Sequence, residues 1–376
     1  SGKYSAIASE TCIDCEAGKR LIISETGVEN EACAVCEIGQ YSAISSVSCL
    51  NCETGKFLTD SATGVEASAC TVCASGKYST GPVNSCSDCG VGKYLTDDGV
   101  SASEHNMIEK CLVCSAGTYM EAPSAAACDD CGLGKYLTDD AVAEIHHDEE
   151  ADCSICTAGM YSNQTGLATC VDCVAGKYLT NVGTSTEFHD DESDCIICDA
   201  GHHSGAGAAN CEGCSAGKYS EVPADEEADC IICDSGKYSI GEGSTGCIDC
   251  PAGTFLENEA TDKGFHDEES DCVVCSHGKY SGAPASSTCV DCAVGKFLED
   301  NAVDILDHDS EEDCVICAAG KYVDVEGASA CVICASGKYL IDLASNAGLH
   351  DEVKDCSNCT AGKYLTDDGT DETLHD

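Results

Sequence analysis

Cys170-Val171-Asp172-Cys173-Val174-Ala175-Gly176-Lys177-Tyr178 is the stretch whose reading decides the fold, because the rest of the chain repeats it. All 36 cysteines fall in C-x-x-C pairs, eighteen of them from Cys12 to Cys359. Nearly every pair is followed by x-x-Gly-x-aromatic. All 14 tyrosines occupy that aromatic position, from Tyr4 to Tyr364, and Phe57, Phe255 and Phe297 fill three more. Arg20 and His203 are the two departures, and 14 of the 18 basic residues are the Lys between the Gly and the aromatic. Repetition this exclusive specifies an architecture, and a period of tens of residues is the mark of a repeat array.

Working outward, the pairs alternate in spacing. Their starts lie 16 or 17 residues apart, then 21 or 25, with a single 19. Short loops are small and polar; several long loops open Leu-Thr-Asp, and most end acidic, as in His189-Asp190-Asp191-Glu192-Ser193-Asp194-Cys195. Pairs closing long loops are mostly apolar inside (Cys195-Ile196-Ile197-Cys198), whereas those closing short loops often carry Asp (Cys289-Val290-Asp291-Cys292). The repeating unit is thus a double module of roughly 40 residues. Residues 1–376 read as one continuous array of about nine such units, cut mid-repeat at both ends. Each module should contact only its neighbours, giving an elongated rod or solenoid.

Composition explains why cysteine is needed. Leu, Ile, Val and Phe total only 65 of 376 residues, Trp is absent, and the formal net charge is −50. Such a chain cannot bury enough apolar surface to offset its ordering entropy. Cross-links must do what a core does elsewhere, and they persist in an oxidising, extracellular or cell-surface compartment. The charge excludes nucleic acid as a partner, and no apolar run reaches the length of a membrane span.

The run C-x-x-C-x-x-G-x-Y, a small polar loop and a further C-x-x-C resembles the cysteine-rich repeats of ephrin-receptor-like and tumour-necrosis-factor-receptor-like ectodomains. Related arrays occur in protist surface antigens and algal surface proteins. The resemblance covers essentially the whole chain and implies small disulfide-rich tandem repeats of short β-hairpins and irregular loops. It also implies the pairing, in which the Cys before x-x-Gly-x-Tyr bonds the Cys ending the following loop. Carried onto this chain, it links Cys15–Cys33, Cys36–Cys49, Cys52–Cys70, Cys73–Cys86, Cys89–Cys111 and Cys114–Cys128. It continues with Cys131–Cys153, Cys156–Cys170, Cys173–Cys195, Cys198–Cys211, Cys214–Cys230 and Cys233–Cys247. Cys250–Cys272, Cys275–Cys289, Cys292–Cys314, Cys317–Cys331 and Cys334–Cys356 complete the set, leaving Cys12 and Cys359 without partners. Spacing alone would not select this scheme.

Within the module, Gly supplies a backbone conformation closed to side chains. The aromatic should lie over the disulfide that precedes it, and the Lys should run along that surface to a carboxylate of a neighbouring loop or into water. Strands should be a few residues long, with at most a helical turn in loops such as residues 141–146.

Paired C-x-x-C motifs also mark zinc sites, and Cys86-Ser87-Asp88-Cys89 and Cys128-Asp129-Asp130-Cys131 look like knuckles. The extracellular resemblance and the charge weigh against zinc, and eighteen copies make poor redox catalysts. Asp139, Asp140, Asp148, Glu149, Glu150 and Asp152 could hold calcium at the two ends of one loop. A solvated acidic face that keeps a rod soluble is the preferred reading. The loop histidines His146, His147, His189, His266, His308 and His350 read as polar filler. Asn163-Gln164-Thr165 is a glycosylation sequon, and Asn358-Cys359-Thr360 a poorer one. No catalytic constellation is present in the sequence, so no enzyme activity and no required cofactor is expected.

These observations point to a structural extracellular protein forming a rod or filament, such as a flagellar-hair-like appendage, with self-association or a repeating partner chain and glycans. A ligand-binding receptor or adhesion ectodomain, or a calcium-binding surface antigen, are the alternatives. Ile196, Ile197, Ile231, Ile232, Val273, Val274, Val315 and Ile316 are the expected contact residues, one of each pair left exposed as an apolar spot once per double module.

Overall fold

A two-residue strand has almost no cohesion of its own, so this fold must be clamped at every repeat. The computed structural model describes residues 2–5, 11–22, 32–59, 67–139, 141–300 and 302–360. Within them run eighteen two-stranded sheets, and the helical segments are 3-10 turns of three residues. The chain groups into two compact units, Ser1–Cys173 with Leu179–Cys195, and Val174–Tyr178 with Ile196–Asp376.

The same hairpin recurs in both. Lys135–Tyr136 pairs antiparallel with Ser154–Ile155 in the first unit, and Lys279–Tyr280 with Val290–Asp291 in the second. A further backbone bond closes each hairpin, from the second Cys of the pair to the Gly carbonyl (Cys156 N to Gly134 O 2.9 Å; Cys292 N to Gly278 O 2.8 Å). Seventeen disulfides clamp the hairpins, and they are the same seventeen pairs, Cys15–Cys33 to Cys334–Cys356, that the resemblance implies. Counting each disulfide-closed loop as a module, Cys15–Cys33 is module 1 and Cys334–Cys356 module 17; odd modules have the long loops. Cys12 and Cys359 are not bonded. The sulfurs of the two zinc-like motifs are all in disulfides, Cys86 to Cys73, Cys89 to Cys111, Cys128 to Cys114 and Cys131 to Cys153, rather than the free thiolates that ligate zinc.

Two expectations need correction. The aromatic packs on the disulfide of the next module, not on the one before it. Tyr119 packs against Cys131, Cys153 and the buried Leu137, and Tyr280 against Cys292, Cys314 and Leu298. Small cores of this kind therefore form where two modules meet, which gives each module a reason to bind its successor.

Contacts also reach the second module along. Gly117 of module 6 adopts φ +79°, and a Cβ there would lie 2.0 Å from the Gly166 carbonyl oxygen of module 8. In the second unit Gly236 of module 12 (φ +74°) would meet the Ala285 carbonyl of module 14 at 2.2 Å. Lys263 Nζ of module 13 donates to Ser215 Oγ of module 11 at 2.8 Å. The expected nearest-neighbour scheme missed this because the sequence shows the φ requirement of glycine but not what lies above it.

Candidate interaction surface

The joints between modules fix where any surface feature recurs. In the Lys–aromatic strand, the carbonyl of the residue before the aromatic points toward the next module and needs a donor. At six of the joints where a long module follows a short one, histidine supplies it. His147 donates through Nδ1 to the Thr118 carbonyl (2.7 Å), its Nε2 lies within hydrogen-bond distance of Asp139 Oδ1 (3.0 Å), and its own carbonyl accepts the Met120 amide (2.8 Å). His105, His189, His266, His308 and His350 repeat this, with Asp97, Asn181, Asn258, Asp300 and Asp342 as the side-chain partners. All six rings are fully buried. Where a short module follows a long one, a buried serine can take the role: Ser79 Oγ donates to the Lys56 carbonyl, and Ser239 Oγ to the Lys218 carbonyl.

The reading of His147, His189, His266, His308 and His350 as filler is thus overturned, and His105 was missed. A signal was present: each stands eight residues after the Asp or Asn that opens its loop. His146 is exposed, at the end of the 3-10 turn Glu144–His146.

The acidic loop ends have a local purpose too. Glu149 and Asp152 form a capping box around a 3-10 turn, as do Asp191 with Asp194 and Glu268 with Asp271. Of the six calcium candidates, Asp140 lies outside the described residues. Asp139 is held by His147, Glu150 by Lys135 (2.7 Å), and Asp152 Oδ2 accepts the Glu149 amide (3.1 Å). Among the described residues these carboxylates do not converge as a metal site. The one convergent set among the described residues is His203, Glu227 and Cys230, and the Cys230 sulfur is already bonded to Cys214.

The repeated lysines pair with carboxylates across their own hairpin in short modules (Lys237 to Asp249 3.0 Å, Lys279 to Asp291 2.7 Å) and with the loop in long ones (Lys296 to Glu311 3.0 Å). These pairs are exposed, so each contributes below about 1 kcal/mol.

Asp342 is held most firmly. The Ser345 hydroxyl (2.5 Å) and amide (2.9 Å), with His350 and the Asn346 amide, pull its carboxyl from 3.8 to about 2 against the desolvation that opposes ionisation. A depressed folded-state value means that this joint is fully stabilised above the ordinary carboxyl range of about 4 and loses that stabilisation as pH falls toward about 2. Hydrogen-exchange protection of the Val323 amide, which donates to the His350 carbonyl, should drop between those pH values. The Ser162 amide at the Asn181–His189 joint, where no carboxylate titrates, should hold its protection better.

Of the expected contact residues, Ile196 and Ile197 are both exposed; Ile231, Val273 and Val315 are exposed with Ile232, Val274 and Ile316 half-buried behind them. The spots do not skip alternate modules, however. Ile248, Val290 and Val332, from the Asp- or Ile-containing pairs between them, are equally exposed. The most exposed aliphatics are elsewhere, at the tips of long loops, where Val142 is 82% and Val303 81% exposed. Asn163 is exposed in its short loop, and Asn358 is exposed on a strand paired with Lys338. No helix among the described residues is long and apolar enough to cross a membrane.

Residues 221–264 match the family model described as tyrosine-protein kinase ephrin type A/B receptor-like. No curated protein matches the chain. With seventeen disulfides in tandem, the modules are cysteine-rich repeats of the ephrin-receptor-like type.

Proposed function

We propose that this array of ephrin-receptor-like cysteine-rich repeats is a structural extracellular protein, an elongated rod that assembles into the filament of a surface appendage. The observation that supports it most is the recurrence of one joint: six buried histidines make the same pair of ring hydrogen bonds at six short-to-long junctions. A chain selected for one ligand has no need of identical joints along its length; a spacer that must keep its surface features in register does. Asn163 carries a glycan in this reading, and Asn358, whose sequon has Cys in the middle, is the poorer acceptor. Folding depends on the disulfides and needs no metal.

The decisive experiment images secreted native material and measures scattering from the isolated chain. Filaments, and a radius of gyration well above the roughly 21 Å of a compact chain of this length, are expected. A compact radius, or isolated particles at every concentration, would overturn the filament reading. The outcome with isolated particles favours a receptor or adhesion ectodomain, for which concave grooves on the long modules speak.

A further inference from the structure

Three grooves occupy corresponding positions on long modules of the second unit, with volumes of 470 Å³ in module 11, 530 Å³ in module 13 and 410 Å³ in module 17. Each is lined by the aromatic of the first strand (Tyr219, Phe255, Tyr339), by the capping-box Asp before the closing Cys (Asp229, Asp271, Asp355), and by the first residue of the second strand (Ile231, Val273, Ser357). The residue preceding the buried histidine, Phe265 or Leu349, adds an exposed apolar wall in modules 13 and 17. Further carboxylates stand beside the apolar surface: Glu221 and Asp225 in module 11, Glu257 in module 13 and Asp342 in module 17, where Lys354 is the one basic residue.

We propose that these grooves are docking sites for a basic polypeptide, each receiving an arginine or lysine side chain whose stem lies on the aromatic and aliphatic surface and whose cation meets the carboxylates. This deepens the filament reading by naming the chemistry of its repeating partner. Arginine and lysine unite a long apolar stem with a positive tip, the combination that an apolar groove beside fixed carboxylates selects, and the aromatic face adds a cation–π contact. A purely apolar occupant would leave those carboxylates desolvated. A second copy of the chain is a poor occupant. It brings another net charge of −50, and twelve lysines of the described residues are already paired with carboxylates. Recurrence along the chain lets several weak contacts act together, and the overall charge steers a basic partner toward them.

The test titrates nona-arginine into the disulfide-intact full chain by calorimetry at 0.15 M salt, under conditions where the chain is dispersed, so that the result stands whether or not filaments form. Ile231→Ser, Phe265→Ser and Leu349→Ser are combined; all three side chains are exposed, so folding is not at stake. Net charge is unchanged. Affinity should fall about tenfold through loss of the apolar walls, whereas Ile240→Ser, Val290→Ser and Val332→Ser, exposed but outside the three grooves, should change it less than about twofold. Equal affinity of the two triple variants would show that only general attraction to the acidic surface is at work, and the proposal would be wrong.

Discussion

Replacing His147 by alanine should release module 7 from module 6 while leaving both modules closed by their own disulfides. The ring is fully buried, so its loss opens a cavity at the joint. It also strands the Thr118 carbonyl and removes the Asp139 carboxylate's ring partner, while the Val142 amide remains as a donor to Asp139. Vacating that buried space and leaving a backbone carbonyl without its donor costs about 3 kcal/mol or more. In a modular chain that loss appears locally rather than as global unfolding. The amide of Met120, which donates to the His147 carbonyl, should therefore exchange at least about a hundredfold faster, and His146→Ala, on an exposed ring, should leave it unchanged. Unaltered Met120 protection in the His147 variant would remove histidine from the joints.

Three glycines separate the two demands placed on that residue. Gly117 meets both: its φ is +79°, and a Cβ would sit 2.0 Å from backbone of module 8, which no rotamer change can relieve. Gly117→Ala should cost well over about 3 kcal/mol and disrupt the contact between modules 6 and 8. Gly337 has φ +85° but open space beside it, so Gly337→Ala should cost only about 1 kcal/mol. Gly132 has open space and no left-handed φ, and Gly132→Ala should be nearly neutral. Exchange protection of the Leu137 amide, which donates to the Leu167 carbonyl of module 8, reads the first effect. Equal costs for Gly117 and Gly337 would mean that contact with the second module along carries no stability.

Much of the module was legible because its determinants are local. The Gly-Lys-Tyr strand, the C-x-x-C strand and the short span between bonded cysteines are adjacent in sequence, so a repeated motif displays them directly. The family resemblance then supplied the pairing that spacing left open. The joints were less legible. His147 and Asp139 stand eight residues apart, and the same spacing recurs in every histidine-bearing long loop described, but composition made both look like parts of a solvated acidic loop. Counting acidic residues could not separate Asp139, which holds a ring, from Asp152, which caps a turn, or Glu257, which lines a groove.

By itself, then, the sequence determined the repeat, the class of small disulfide-clamped hairpins and the need for glycine and an aromatic in each, since covalent closure and backbone φ are properties of short segments. The tertiary structure decided which disulfide each aromatic covers, which carbonyl each histidine reaches, why glycine lies beneath the second module along, and which aliphatics remain exposed. Those depend on the angle at which one module follows the next. That angle comes from side-chain packing and hydrogen bonds between residues 28 or 29 positions apart, as for Lys77 with His105 and Thr118 with His147, a separation that no single motif contains.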